Sequence, residues 1–100
     1  MVQVKWTVLS FEDLKEIFDY ISRDSSTYAK IQVVKLRART KILKTNPHAG
    51  KIVPEFSDAN FRELIEGSYR IIYKIIDTKQ IDILTIHHSA RDLVRRQIDL

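Results

Sequence analysis

Residues 2–8, VQVKWTV, alternate along the chain: Val2, Val4, Trp6 and Val8 are apolar, and Gln3, Lys5 and Thr7 are polar. A period of two with β-branched residues predicts a half-buried strand. The period then changes. Leu14, Ile17, Phe18 and Ile21 recur at helical spacing, which predicts an amphipathic helix. Ser10 is its expected N-cap, with Glu12 and Asp13 in the first turn beside the positive end of the helix dipole. The polar run RDSST breaks this helix, and Ser26 or Thr27 caps the next. The second helix is expected from about Tyr28 to Thr45. Ile31, Val34, Ala38 and Ile42 form its stripe, widened by Leu36 and Leu43. Asn46-Pro47 stops it, because the residue before proline avoids the α region.

HAGKIVPEFSDAN reads as a loop, and the second half is β in character. NFRELIEG, SYRIIYKIID and KQIDILTIHH are runs of strand length, separated by the turn-like EGS and DTK. Links this short favour antiparallel hairpins. In the closing ARDLVRRQIDL, Leu93, Ile98 and Leu100 give a weak pattern, a short C-terminal helix or a frayed end. The order predicts a two-layer α+β domain spanning residues 1–100: an N-terminal strand, a helical hairpin, then a three-stranded antiparallel meander. On the strand from Tyr69, residues Tyr69, Ile71, Tyr73 and Ile75 share one face; Arg70, Ile72, Lys74 and Ile76 share the other. The mixed face is expected to be the open one, with Arg70 and Lys74 directed at an anionic partner.

Composition narrows the class. At 44% hydrophobic residues in 100, the chain supports one modest core. There is no cysteine, hence no disulfide frame and no thiolate metal site. No apolar run approaches the roughly 20 residues of a membrane span. The N-terminus lacks signal-peptide order, so the expected setting is the cytoplasm. The net charge of +4 is unevenly placed. Between Ser25 and Pro54 there are seven basic residues and no acidic one; elsewhere ten basic residues face thirteen acidic. Such a segment attracts polyanions or an acidic protein, or is a solvated helix face.

Arg62, Arg70, His87, His88 and Arg91 are the chemical candidates in the β half. Arginine stabilises phosphodiester charge, and histidine moves protons near neutral pH. Plainer uses compete: an ion pair for Arg62, a cross-strand pair of Arg70 with Asp82 or Glu63, and a structural role for either histidine. His87 and His88 point in opposite directions if the strand continues through them. The histidines lack metal-ligand spacing, and no glycine loop cradles a phosphate, so neither a metal nor a cofactor is expected. The residues alone describe a basic α+β domain that binds an anion or an acidic partner.

Trp6-Thr7, EDLKEIFDYI at 12–21, NPHAGKIVPE at 46–55, RELIEGSYRIIY at 62–73 and HSARDL at 88–93 together resemble the RelE/ParE toxin superfamily. The resemblance covers nearly the whole chain. It implies a toxin of a type II toxin–antitoxin pair, neutralised by a cognate antitoxin. RelE-like members are ribosome-dependent mRNA endonucleases; ParE-like members poison DNA gyrase. A RelE-like reading would make Arg70, His88 and Arg91 catalytic in metal-free cleavage of mRNA on the ribosome. Arg62, Lys74, Arg37, Lys41 and Lys44 would contact a partner or nucleic acid. The chain departs from the RelE pattern in two places: NFRELIEG carries only Arg62 where lysines are usual, and no tyrosine follows Tyr73. The EDLKEIFDYI helix, the V-P-E loop and the R-E-L strand resemble ParE more. The expected function is therefore gyrase inhibition, with ribosome-dependent RNA cleavage as the alternative.

Overall fold

The computed structural model describes residues 1–89. Arg91 and the expected C-terminal helix lie outside the described residues. The elements are β1 (Gln3–Trp6), α1 (Val8–Ser22), α2 (Ser26–Arg39), a 3-10 helix (Thr40–Lys44), β2 (Lys51–Ile52), β3 (Phe61–Glu66), β4 (Tyr69–Ile75) and β5 (Gln80–His88). The α+β expectation holds, and the last three strands form the expected meander. They belong to a five-stranded mixed sheet ordered β1-β5-β4-β3-β2. β1 runs parallel to β5, and the other pairings are antiparallel. The 48–60 segment, expected as loop, contributes the two-residue β2.

Local chemistry moves several boundaries. The cap of α1 is Thr7 rather than Ser10. Its Oγ1 accepts from the Ser10 N–H at 3.2 Å and donates to the Ile83 carbonyl at 2.8 Å, fastening the helix start to β5. Glu12 and Asp13 accordingly fall one turn later than expected. Ser25 caps α2 by accepting from the Tyr28 N–H. α2 is shorter than the Tyr28–Thr45 expectation because the chain tightens into the 3-10 helix at Thr40. The Thr40 hydroxyl donates to the Arg37 carbonyl at 2.8 Å, a local bond that competes with the α-helical pattern.

Two apolar clusters flank the sheet. The larger joins Leu14, Leu36, Leu43, Leu64, Ile71, Tyr73, Ile81, Ile83 and Ile86, with Val2, Val4, Trp6 and Ile17 packed against it. This is the helix-covered face. The smaller joins Val53, Phe61, Ile72 and Leu84 under Phe56 on the opposite face. The mixed face of β4 is therefore covered in part by the 53–60 loop. The alternation of β4 holds, since Ile71 and Tyr73 enter the first cluster and Ile72 the second.

The stripe of α2 is reversed. Leu36 and Leu43 are fully buried with Ala29, whereas Ile31, Val34 and Ile42 are 46%, 65% and 43% exposed. The helix is apolar on two opposite faces, and only one meets the sheet. On α1, Asp13 is buried. Its carboxylate accepts from the Thr85 hydroxyl and, at 3.0 Å, from the Ile86 N–H. It does so where β5 slips register, between Ile72↔Thr85 and Tyr73↔Ile83.

Candidate functional site

Two carboxylates converge on Arg70 of β4. Its Nη1 and Nη2 donate to the two carboxylate oxygens of Glu55 at 2.7 and 2.8 Å, a bidentate pair. Its Nε donates to Glu63 at 2.7 Å, and Nη2 also meets that carboxylate. Glu63 lies on the neighbouring strand and Glu55 on the loop crossing this face. Planar fork-to-carboxylate bonding is among the strongest polar contacts a protein makes. It is strengthened here because only 11% of the arginine side chain is exposed. The Arg70 hydrogen bond holds Glu55 below the usual carboxylate range, against the opposing effect of burial. Arg70 is in turn held above its ordinary value by Glu55, then Glu63. The anion expected to meet Arg70 is thus supplied by the chain itself. Glu63 was foreseeable as a cross-strand partner; Glu55 was missed, since a loop carries no periodicity that would aim it.

The other candidates are dispersed. Arg62 pairs in register with Tyr73, and Arg70 with Ile65, so Arg62 and Arg70 project from opposite faces of the sheet. Arg62 makes no ion pair with Glu63 or Glu66 among the described residues. It donates to the carbonyls of Ala59 and Gly50 at 3.0 Å each, bracing the loop. The buried Tyr73 hydroxyl braces the same loop, donating to the Pro47 carbonyl at 2.8 Å and accepting from the Gly50 N–H at 2.9 Å. Burial pushes its pKa up. A Cβ on Gly50 would stand 2.5 Å from the Glu63 carbonyl oxygen and 2.7 Å from this hydroxyl, so only glycine fits.

The histidines do diverge. His87 is buried and stands opposite Arg70 in the ladder; His88 stands opposite Tyr69 and meets its ring edge-on at 5.5 Å. His88 thus shares the helix-covered face, away from Arg70. Lys74 lies 5.1 Å over the Phe61 ring, a cation–π contact. Arg37, Lys41 and Lys44 stand exposed on α2 and the 3-10 helix, beside the exposed Ile31, Val34 and Ile42. Among the described residues no group of three or more His, Cys, Asp or Glu could hold a metal ion. No helix among them is long and apolar enough to cross a membrane.

The arrangement offers a closed polar clamp on one sheet face and a basic, partly apolar helix surface elsewhere. Among the described residues, the histidine that stands beside Arg70 is His87, and it is buried. Comparison with curated proteins gives no sequence match. The family described as "ParE toxin of type II toxin-antitoxin system, parDE" matches over residues 4–93. Among solved structures, the chromosomal ParDE toxin–antitoxin system from P. aeruginosa aligns at a TM-score of 0.72 and 25% identity, covering 88% of this chain and 96% of that one. The RelBE2 toxin–antitoxin complex from Mycobacterium tuberculosis aligns at 0.55 and 22% identity, covering 87% and 96%; this second likeness concerns the fold. With nine-tenths of its length matched, the chain belongs to the ParE toxin family of type II toxin–antitoxin systems.

Proposed function

We propose that this ParE-family toxin arrests growth in the cytoplasm by poisoning DNA gyrase, and that a cognate antitoxin neutralises it. The observation that carries the choice of target is the clamp on Arg70. A phosphodiester approaching this guanidinium meets Glu55 and Glu63 already bonded to it. Both carboxylates already occupy the donors of the guanidinium, so an incoming phosphate must displace one of them. Metal-free RNA cleavage needs donors free to follow charge as it develops on phosphate. His88, on the opposite face, adds no proton transfer there. Poisoning an enzyme by binding needs no catalytic group in this chain. The likeness to the P. aeruginosa ParDE toxin–antitoxin system supports the same reading.

The antitoxin contact falls best on the outer face of α2 and the 3-10 helix. Ile31, Val34 and Ile42 form an apolar stripe, flanked by Lys30, Arg37, Lys41 and Lys44. An acidic amphipathic helix is the complement of that surface.

The test is a pulse-labelling time course after induction without antitoxin, paired with a supercoiling assay on purified gyrase. Thymidine incorporation is expected to fall before methionine incorporation, and supercoiling to be inhibited. Early loss of methionine incorporation with cleaved mRNA would overturn the gyrase reading in favour of RNA cleavage. Arg70→Ala, assayed at a temperature where it stays folded, should still inhibit gyrase.

A further inference from the structure

The cations of α2 and the 3-10 helix form a row. Lys30 and Arg37 stand two helical turns apart on one face, and Lys41 follows Arg37 by four residues, the spacing of neighbours on a helix surface. Lys44 follows Lys41 by three, the spacing that eclipses side chains in a 3-10 helix. All four are exposed, and none is in an ion pair among the described residues. From Lys30 to Lys44 the row runs about 20 Å.

Two features meet on this surface, and they have different uses. The apolar stripe of Ile31, Val34 and Ile42 lies beside the row. An amphipathic acidic helix uses both, whereas a polyanion uses the row alone. Each strand of duplex DNA carries one phosphate about every 3.4 Å of axis, so the row spans about six of them. Lysine and arginine in water, with no carboxylate of their own, are the groups that neutralise such phosphates and release their counterions. The carboxylates of Glu55 and Glu63 lie on the sheet face opposite the helices and do not oppose the approach. An enzyme that holds duplex DNA brings its phosphates within reach of a protein bound against it, and a gyrase poison is bound in that situation.

We propose that Lys30, Arg37, Lys41 and Lys44 bind the phosphate backbone of the duplex that gyrase holds, so that DNA is a direct ligand of this chain in the poisoned complex. This rests on the gyrase reading above and adds a second partner to it. The contact reads phosphate and carries no base preference. An antitoxin helix seated on the same surface excludes the DNA.

The first probe is a short fluorescent DNA duplex, titrated with the full-length toxin and with its Lys30→Gln/Arg37→Gln/Lys41→Gln variant. Four phosphate contacts require the parent's affinity to fall about 100-fold between about 50 and 200 mM salt, and the variant's by about 3- to 4-fold. The second probe needs no variant. Lysine acetylation of the unaltered toxin, with gyrase and DNA present, should slow at Lys30, Lys41 and Lys44 and stay unchanged at Lys79, which is exposed in the turn between β4 and β5. Omitting DNA should restore reactivity at the first three. Equal salt dependence of parent and variant, or undiminished acetylation of the row with DNA present, overturns the contact. Tighter binding of an RNA duplex of the same sequence would assign the row to RNA and overturn it equally. The two readings fail differently. A parent that leaves supercoiling untouched sinks the gyrase reading; a parent that inhibits supercoiling while its row remains reactive sinks the DNA contact alone.

Discussion

Arg70 and the cations of α2 are equally positive, yet they stand in opposite situations. Arg70 is 11% exposed at its side chain and bonded to two carboxylates. Lys30, Arg37, Lys41 and Lys44 are exposed, in a stretch from Ser25 to Pro54 without one acidic residue. None of these four is in an ion pair among the described residues. A cation already neutralised by its own chain contributes to the fold; a cation left unneutralised is available to a partner. Position in the middle of a β-rich half makes Arg70 look more like a site than a surface lysine does, and the geometry reverses that order.

The sharpest way to break this contrast is Arg70→Ala. Removing the arginine leaves Glu55 and Glu63 facing each other without their cation, and the loss of one partner from a largely buried network is costly. The expected loss is about 3 kcal/mol, read by denaturant or thermal unfolding. Replacing all three, as Arg70→Met with Glu55→Gln and Glu63→Gln, should recover most of it, since no uncompensated charge remains. A neutral effect of Arg70→Ala alone would return Arg70 to the pool of available cations. The clamp would then no longer argue against RNA as a ligand.

Part of this was legible in the chain and part was not, for identifiable reasons. The two faces of β4 follow from a period of two: Ile71 and Tyr73 share one face and Ile72 takes the other, but that second face, expected to be open, is covered in part by Val53, Phe56 and Phe61. Register is another matter. Arg62 and Arg70 do sit on neighbouring strands, but a shift of one residue moves a side chain to the other face, and no local pattern reports it. Along α2 and the 3-10 helix that follows it, both Ala29-Leu36-Leu43 and Ile31-Val34-Ile42 have helical spacing. The helix alone does not say which stripe meets the sheet; the packing of the whole domain does. β1 illustrates the same division. The strand was clear from VQVKWTV, whereas its place beside β5 depends on long-range pairing.

Acid offers a graded test of the same clamp. Arg70 depresses the pKa of Glu55. A depressed carboxylate contributes stability above its unfolded value of about 4.3 and loses it as pH falls through the folded value. Thermal unfolding of Glu55→Gln and the unchanged protein should therefore differ near neutral pH, by about 1 kcal/mol once solvent exposure is allowed for, and converge in acid. A gap that persists below the folded value, or widens there, would mean that Glu55 acts through packing rather than through charge.

The smallest effect on the fold is expected from the α2 cations, and that is what makes them informative. Charge reversal at Lys30, Arg37 and Lys41 touches side chains in water, where substitutions usually change stability by no more than about 0.5 kcal/mol. It lowers the net charge of the surface proposed for the antitoxin by six units, from three cations to three anions. Rim charges act chiefly on association rate and salt dependence. The triple variant should thus unfold like the parent, bind antitoxin more slowly, and lose the salt sensitivity of binding. Val34→Asp, in the middle of the exposed stripe, should likewise leave unfolding nearly unchanged, while accelerating dissociation because the apolar contact is lost. Should the triple variant unfold early instead, these cations would belong with Arg70 as parts of the fold, and the contrast between bound and available charge would collapse from the other side.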